Sequence, residues 1–422
     1  PLEAINFLLS LNAKEVLVTE KANSNETFKT LAKTYFPRII FTSENAEKAL
    51  INYIASIIEE TISWQIKELS GSTFISSSSL QSLNILGKNS EENLFNLLNK
   101  TTTKMGEDLL LRRFVSPFTT EEDIKISLDQ IQSCLQNWSD CLKIKKLLRP
   151  LRGLQKIIFR LQTRRLSLSE LCELKIGVTS ALQLSTLETF ALKDLLLKLR
   201  QFLPYLEEFK NLLAPLNTES SKLFNDPNLF LPNYFEDLDK ATSLKKQSAA
   251  TLRLIEDQER EKTGINTLKV KETQNFGLVI EITNSNKHLV PPYYIRKQTL
   301  VNCERYTTEQ LLELESKLSQ IDEEIERINK EKVNLIIESL FIDVKILESL
   351  AQIIGLIDAQ LSLAEASLEN DFCKPDIGEP ATLKIDQGFH PILKRILKSS
   401  YQPNSFEISS NSRAFLITGP NM

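Results

Sequence analysis

Two places in this 422-residue chain carry side chains whose type and spacing suit chemistry. At the first, the apolar run Ala414-Phe415-Leu416-Ile417 leads directly into Thr418-Gly419-Pro420-Asn421-Met422. A buried strand that feeds a glycine-containing turn is how phosphate-binding loops begin, with backbone N–H groups bared to an anion. The same residues equally suit an ordinary turn, because the diagnostic Gly-Lys-Ser/Thr would lie beyond Met422. The second place runs from Lys262 to Arg305. Seven basic residues (Lys262, Lys269, Lys271, Lys287, Arg296, Lys297, Arg305) stand there against three acidic ones (Glu272, Glu281, Glu304), a net of +4 in a chain of net −4. Such a patch fits a phosphate backbone; it also fits a plain solvated face. Other constellations are missing. Only His288 and His390 occur, and the five cysteines form no CxxC pair. Neither a metal site nor a disulfide framework is expected, and reduced thiols in an intracellular protein are the better reading.

The elements that must position these groups are mostly helical. The chain has 11 Gly, where average usage predicts about 30, which argues against a glycine-rich α/β enzyme or a propeller. Residues 1 to about 70 alternate short apolar runs (Glu15 to Thr19, Arg38 to Thr42) with helical patterns (Leu2 to Leu11, Ala46 to Ile66), as a small α/β unit does. A polar link from Gly71 to Ser79 and a strand around Leu83 to Leu86 are predicted next. From Glu91 to about Pro215 the pattern is helical, with an N-cap offered at Thr119-Thr120 and a stop at Pro117. A charged helix from about Phe235 to Lys262 ends at Thr263-Gly264. Strands are predicted at Leu268 to Lys271 and Gly277 to Thr283, and a long helix resumes at about Thr307. Its Leu311, Leu314, Leu318, Ile321, Ile325 and Ile328 fall at spacings of three and four, a coiled-coil seam. Some thirty helical residues span about 45 Å, so two such helices would hold a small sheet at their tip. The apolar stretch from Leu335 to Leu368 carries Glu338, Asp343, Lys345, Glu348 and Asp358, so no membrane span is expected. Pro1 and the abrupt end at Met422 read as an internal piece of a longer protein, without a signal peptide.

Tyr293 to Tyr306 and Glu259 to Val270 closely resemble the clamp-to-lever junction of the MutS DNA mismatch-repair family. His390-Pro391-Ile392-Leu393, followed by Phe415 to Met422, resembles the opening of that family's ATPase domain. Asn93 to Leu98, with Thr101, Thr103, Met105 and Gly106, resembles its first core helices. The order is collinear over nearly the whole chain. The resemblance implies a mainly α fold with α+β parts. It assigns residues 1–70 to a partial α/β connector, 71–236 to core and lever helices, 237–306 to a β clamp inserted at the tip, 307–370 to the returning lever and core, and 371–422 to the start of a P-loop ATPase domain. It further implies a DNA-dependent ATPase parent that uses ATP or ADP with Mg²⁺ and binds mismatched double-stranded DNA. That parent would work as a homo- or heterodimer, with downstream repair factors, in the cytoplasm, nucleus or an organelle. Gly419, Pro420, Asn421 and Met422 would then open the phosphate loop, and Tyr401 would stack on adenine. Lys269, Lys271, Lys287, Arg296 and Lys297 would be candidates for the duplex backbone. No catalytic or metal-binding residue carries over, because the phosphate-loop Lys and the Mg²⁺-holding groups fall outside these residues. Lys104, Ser127, Gly153-Leu154-Gln155-Lys156 and Phe389 depart from the family pattern, so charged pairs of the core are expected to be missing. Two alternatives remain at this point: a MutS relative that binds branched recombination intermediates, and a non-catalytic coiled-coil spacer.

Overall fold

Two short β-branched runs, β1 (Glu15–Thr19) and β2 (Arg38–Thr42), lie side by side in parallel, with Leu17 opposite Ile40. They belong to a computed structural model that describes residues 75, 77–85, 93–273, 275–378 and 382–409, together with the backbones of these two strands. The helical patterns expected at Leu2 to Leu11 and Ala46 to Ile66 lie outside the described residues. The strand expected around Leu83 to Leu86 is corrected for its described part. Helix α1 (Ser77–Ser82) occupies the polar link, and the amides of Leu83 and Ile85 bond back to Ser79 O and Leu80 O. With those amides satisfied and Leu80 buried beneath them, no ladder forms.

The helical stretch then runs α2 (Leu94–Leu98), α3 (Lys104–Val115), α4 (Glu121–Gln136), α5 (Trp138–Leu148), α6 (Leu154–Gln162), α7 (Leu168–Ser185), α8 (Lys193–Arg200) and α9 (Leu203–Leu213). Thr120 caps α4 as its sequence promised, accepting from Asp123 N. After these come α10 (Glu236–Thr263), β3 (Lys269–Thr273), β4 (Gly277–Thr283), β5 (Ile295–Thr299), β6 (Cys303–Thr307), α11 (Glu309–Ile342) and α12 (Val344–Asn370). The last described part holds β7 (Leu383–Gly388), α13 (Pro391–Leu397) and β8 (Asn404–Ile408), with β7 and β8 antiparallel.

Contacts divide the chain into two compact units. Unit 1 comprises Pro1–Thr163, Ile176–Glu207 and Val344–Met422; unit 2 comprises Arg164–Lys175 and Glu208–Asp343. In unit 1, α12 is the central helix, packed by α2, α3, α4, α5, α6 and α8. It is long and apolar enough to cross a membrane by length and composition. Here, however, its Leu347, Leu350, Ile354, Ile357 and Leu361 are core residues, and Asp358, Gln360 and Ser362 are buried with them. Buried Asp358 accepts from Thr102 N (3.0 Å), Thr103 N (2.7 Å) and Thr103 Oγ1 (2.7 Å), so one carboxylate satisfies the amides that open α3. Burial raises the Asp358 pKa, against the pull of those hydrogen bonds. The helices meet closely because both contact points are glycine. A Cβ on Gly106 would lie 2.4 Å from Asp358 Oδ2, and one on Gly355 would lie 2.7 Å from Leu109. At Ser127, Gln360 Nε2 donates to Ser127 Oγ (3.0 Å) and to Gln130 Oε1 (2.6 Å), and Arg113 donates to Gln360 (3.1 Å) and to Ser127 Oγ (3.5 Å). Charged ties persist elsewhere on α12, between Lys145 and Glu365 and between Lys100 and Glu369.

Unit 2 is built on α10 and α11. Asp237 pairs with Lys332 (3.1 Å) and Lys245 with Asp322 (2.6 Å), while Ile255 shares a core with Leu311 and Leu314. One number falls as the other rises, so the two helices are antiparallel. Along the seam Leu311, Leu314, Ile325 and Ile328 are buried, while Leu318 and Ile321 are half-buried. Gly264, at φ +70°, takes the left-handed position that stops α10.

Candidate nucleic-acid interface

The chain between α10 and α11 forms a four-stranded antiparallel sheet of order β3-β4-β6-β5. Strands β5 and β6 were not among the strands predicted, and Cys303-Glu304-Arg305-Tyr306-Thr307 is an inner strand paired on both sides. One face of the sheet is apolar. Leu278, Ile280, Ile282 and Tyr306 cover Ile255 of α10 and Leu311 and Leu314 of α11, together with Ile265, Leu268 and Tyr294. Period-two alternation therefore puts the intervening residues on the other face, where Lys269, Glu281 and Arg305 stand opposite one another and Gln298 follows Arg305 on β5.

Those residues are bonded into a row. Arg305 donates from Nε (3.0 Å) and Nη2 (2.8 Å) to Glu281 Oε1, and from Nη1 to Gln298 Oε1 (2.8 Å). Lys271 reaches the other Glu281 oxygen. The Lys271 hydrogen bond holds the Glu281 carboxyl below its usual range; burial opposes this and Arg305 adds to it. A second cluster centres on buried Glu304. It takes Lys287 Nζ at 2.6 Å, Arg296 Nη1 at 3.6 Å and the Tyr306 hydroxyl. Hydrogen bonds from Lys287 and Tyr306 lower the Glu304 pKa, and burial together with Glu304 pushes Tyr306 up to about 12. Each glutamate thus holds two cations, so each cluster keeps one positive charge while its geometry is fixed.

Another glutamate, the buried Glu259, fastens the sheet to α10. It accepts from Tyr293 OH (3.0 Å), Tyr294 OH (2.8 Å) and Lys262 Nζ (2.8 Å). Burial favours its neutral form, but the hydrogen bonds from Lys262 and the two tyrosines outweigh that, and its pKa is lowered. Burial and Glu259 together raise both tyrosines. Glu259 lies outside the window in which the +4 was counted, so that count overstates the charge of the tip. Local spacing could not reveal this, because Glu259 and Tyr294 are 35 residues apart.

The five candidate cations therefore divide. Lys271 joins the Glu281 row, and Lys287 and Arg296 join Glu304. Lys269 is exposed on the polar face and makes no ion pair among the described residues. Lys297 sits at the bulge in β5 and lines a groove of about 1220 Å³ shared with Glu272, Glu315, Asp322, Glu323 and Glu326. The groove is strongly acidic, so Lys297 stands apart from the other four.

Of the nucleotide-site residues, Gly419, Pro420, Asn421 and Met422 lie outside the described residues. Tyr401 is half-buried, and its hydroxyl accepts the His390 amide at 2.6 Å. His390 in turn caps α13, its Nδ1 accepting from Leu393 N at 3.3 Å. Phe389 stacks on Phe372 at 6.0 Å and lies under Lys394. No group of metal-ligating side chains occurs among the described residues, and all five cysteines are free thiols.

Comparison with known proteins adds a family to this geometry. A family model described as MutS family domain IV matches residues 233–324, which hold most of the helix pair and the entire sheet. The chain is 30% identical over 415 residues to the DNA mismatch repair protein MutS of Thermodesulfovibrio yellowstonii, covering 94% of this chain and 48% of that protein. It is 29% identical over 390 residues to the MutS of Alkaliphilus oremlandii (90% and 44%). Against the MutS of Caldanaerobacter subterraneus subsp. tengcongensis it is 27% identical over 353 residues (82% and 41%). The chain spans less than half the length of these relatives.

Proposed function

The chain belongs to the MutS family, and from that premise we propose that it serves DNA mismatch repair by holding duplex DNA through the polar face of its four-stranded sheet. The observation that carries this reading is the row on the polar face, where Glu281 holds Lys271 and Arg305 beside exposed Lys269, on a sheet at the end of two antiparallel helices. Charges held in place by a carboxylate lose little freedom when they meet phosphates. They read no bases, which suits a protein that must travel over any sequence. The duplex would run along the Lys269, Lys271 and Arg305 face and past the end of β4, where exposed Lys287 stands. It would avoid the acidic groove around Lys297.

In this reading the helix pair α10 and α11 carries the state of the sheet towards an ATPase domain that begins in the C-terminal residues. Gly419, Asn421 and Met422 would contribute backbone N–H groups to ATP or ADP phosphates, with Pro420 shaping the turn, and Tyr401 would offer an aromatic face to the base. The nucleotide, with its Mg²⁺, supplies the phosphoryl chemistry when bound. Pairing with a second MutS-type subunit would close the protein around the duplex.

Fluorescence anisotropy with a labelled duplex across a salt series tests the reading. The slope of log K against log salt is expected to fall by about 0.9 for each phosphate contact removed. Lys269→Glu combined with Lys287→Glu should weaken binding at least tenfold and flatten the slope, whereas Lys297→Glu should change little. Equal effects of the three substitutions, or none, would refute the assignment.

A further inference from the structure

A second surface lies in unit 1. Helices α3, α6 and α12 enclose an open groove of about 860 Å³. Its floor is apolar, made by Met105, Leu109, Ile158 and Ala351. Its edges carry Lys104, Arg112, Arg152 and Lys156 against only Asp108 and Glu348, in a chain whose net charge is −4. Both carboxylates are engaged from within the groove. Asp108 takes Lys104 (3.1 Å) and Gln155 (3.3 Å), and Glu348 takes Gln162 (2.5 Å). Gln155, Lys156 and Phe159 fall at helical spacing and form an exposed stripe on α6, which exposed Arg152, just before that helix, extends. Phe159 is 64% exposed there.

We propose that this groove docks a short acidic, amphipathic peptide segment of a partner protein, with an aliphatic or aromatic side chain on the floor and carboxylates along the cationic edges. Charge complementarity selects the acidic partner, and guanidinium groups such as those of Arg112 and Arg152 match carboxylates in a two-bond fork. The apolar floor selects a peptide over a nucleic acid, whose phosphodiester backbone has nothing to bury there. Lying an amphipathic segment between helices is a recurrent mode of peptide recognition. The proposal is independent of the DNA reading of the sheet.

Anisotropy of a fluorescein-labelled peptide of alternating Glu and Leu closed by Phe, titrated with the whole chain, tests it. Saturable binding is expected at about 1–100 µM, weakening as salt rises. Arg152→Glu with Lys156→Glu, at exposed positions, should lower the affinity at least tenfold with unchanged helical circular dichroism, and Phe159→Ser should lower it less. Should charge reversal disturb the fold, Arg152→Gln with Lys156→Gln takes its place, with the same sense and a smaller loss. The proposal is overturned by equal binding of a Lys/Leu peptide, by absence of saturable binding, or by unchanged affinity in the folded variants. Displacement of the peptide by a duplex oligonucleotide, with duplex affinity lost in the same variants, would overturn it too and make the groove a nucleic-acid surface.

Discussion

Glu259 and Glu304 are buried acids whose usefulness lies in the groups they hold. Removing the Glu259 carboxylate leaves two tyrosine hydroxyls without their acceptor and Lys262 without its partner. Glu259→Leu should therefore destabilise unit 2 by about 2–4 kcal/mol, read as a shift in its urea midpoint. Tyr294→Phe, which removes one of the three donors, should cost about 1 kcal/mol. At this scale little was legible in the sequence. Lys271, Lys287 and Arg296 could be named as cations, but the carboxylates that fix them are set by strand register and by contacts many residues away. Glu304 could be counted as one of three acids in the basic stretch, but nothing in its neighbours marks it as buried. It is buried because Lys287, Arg296 and Tyr306 close over it.

Among the elements, the helices were the legible part, since their periodicity and caps are local signals. Thr120 and Gly264 start and stop them where side-chain and backbone chemistry require. Strand β6 was missed because its adjacent charges, Glu304 and Arg305, point to opposite faces and break the apolar alternation that marks a half-buried strand. The α3–α12 contact was also invisible, although Gly106 and Gly355 are its cause. Gly106→Ala should push Asp358 away from the α3 amides and cost about 1–3 kcal/mol in unit 1. A control, Leu314→Ala, should cost about 2–5 kcal/mol in the core beneath the sheet. Circular dichroism melts of both variants check the pair.

Over the whole molecule, acid should separate the two units. In unit 2, Asp226, Asp237, Glu259, Glu281, Glu304 and Glu324 all have lowered pKa values. Their contribution is present above the unfolded carboxylate value of about 4 and is lost as the pH falls through the folded one. In unit 1 Asp140 is lowered in the same way, but Asp358 has a raised value, so its contribution is full in acid and is lost as the pH rises through the folded pKa. Calorimetric scans from pH 6 down to about pH 3.5 should show the unit 2 transition moving down the further of the two. Transitions that move together would contradict this electrostatic division.

The sheet face itself can be probed through a native thiol. Cys303 is half-buried and, two residues from Arg305 on β6, shares the polar face. Cys373 is exposed in unit 1, whereas Cys134, Cys141 and Cys172 are buried. Labelling the chain with a thiol-directed photocrosslinker and irradiating it with a duplex gives the most direct measurement. Holding the duplex on the polar face predicts crosslinks from Cys303 that unlabelled duplex and added salt abolish. Saturated duplex binding with crosslinks from Cys373 alone, or from neither thiol, would contradict it.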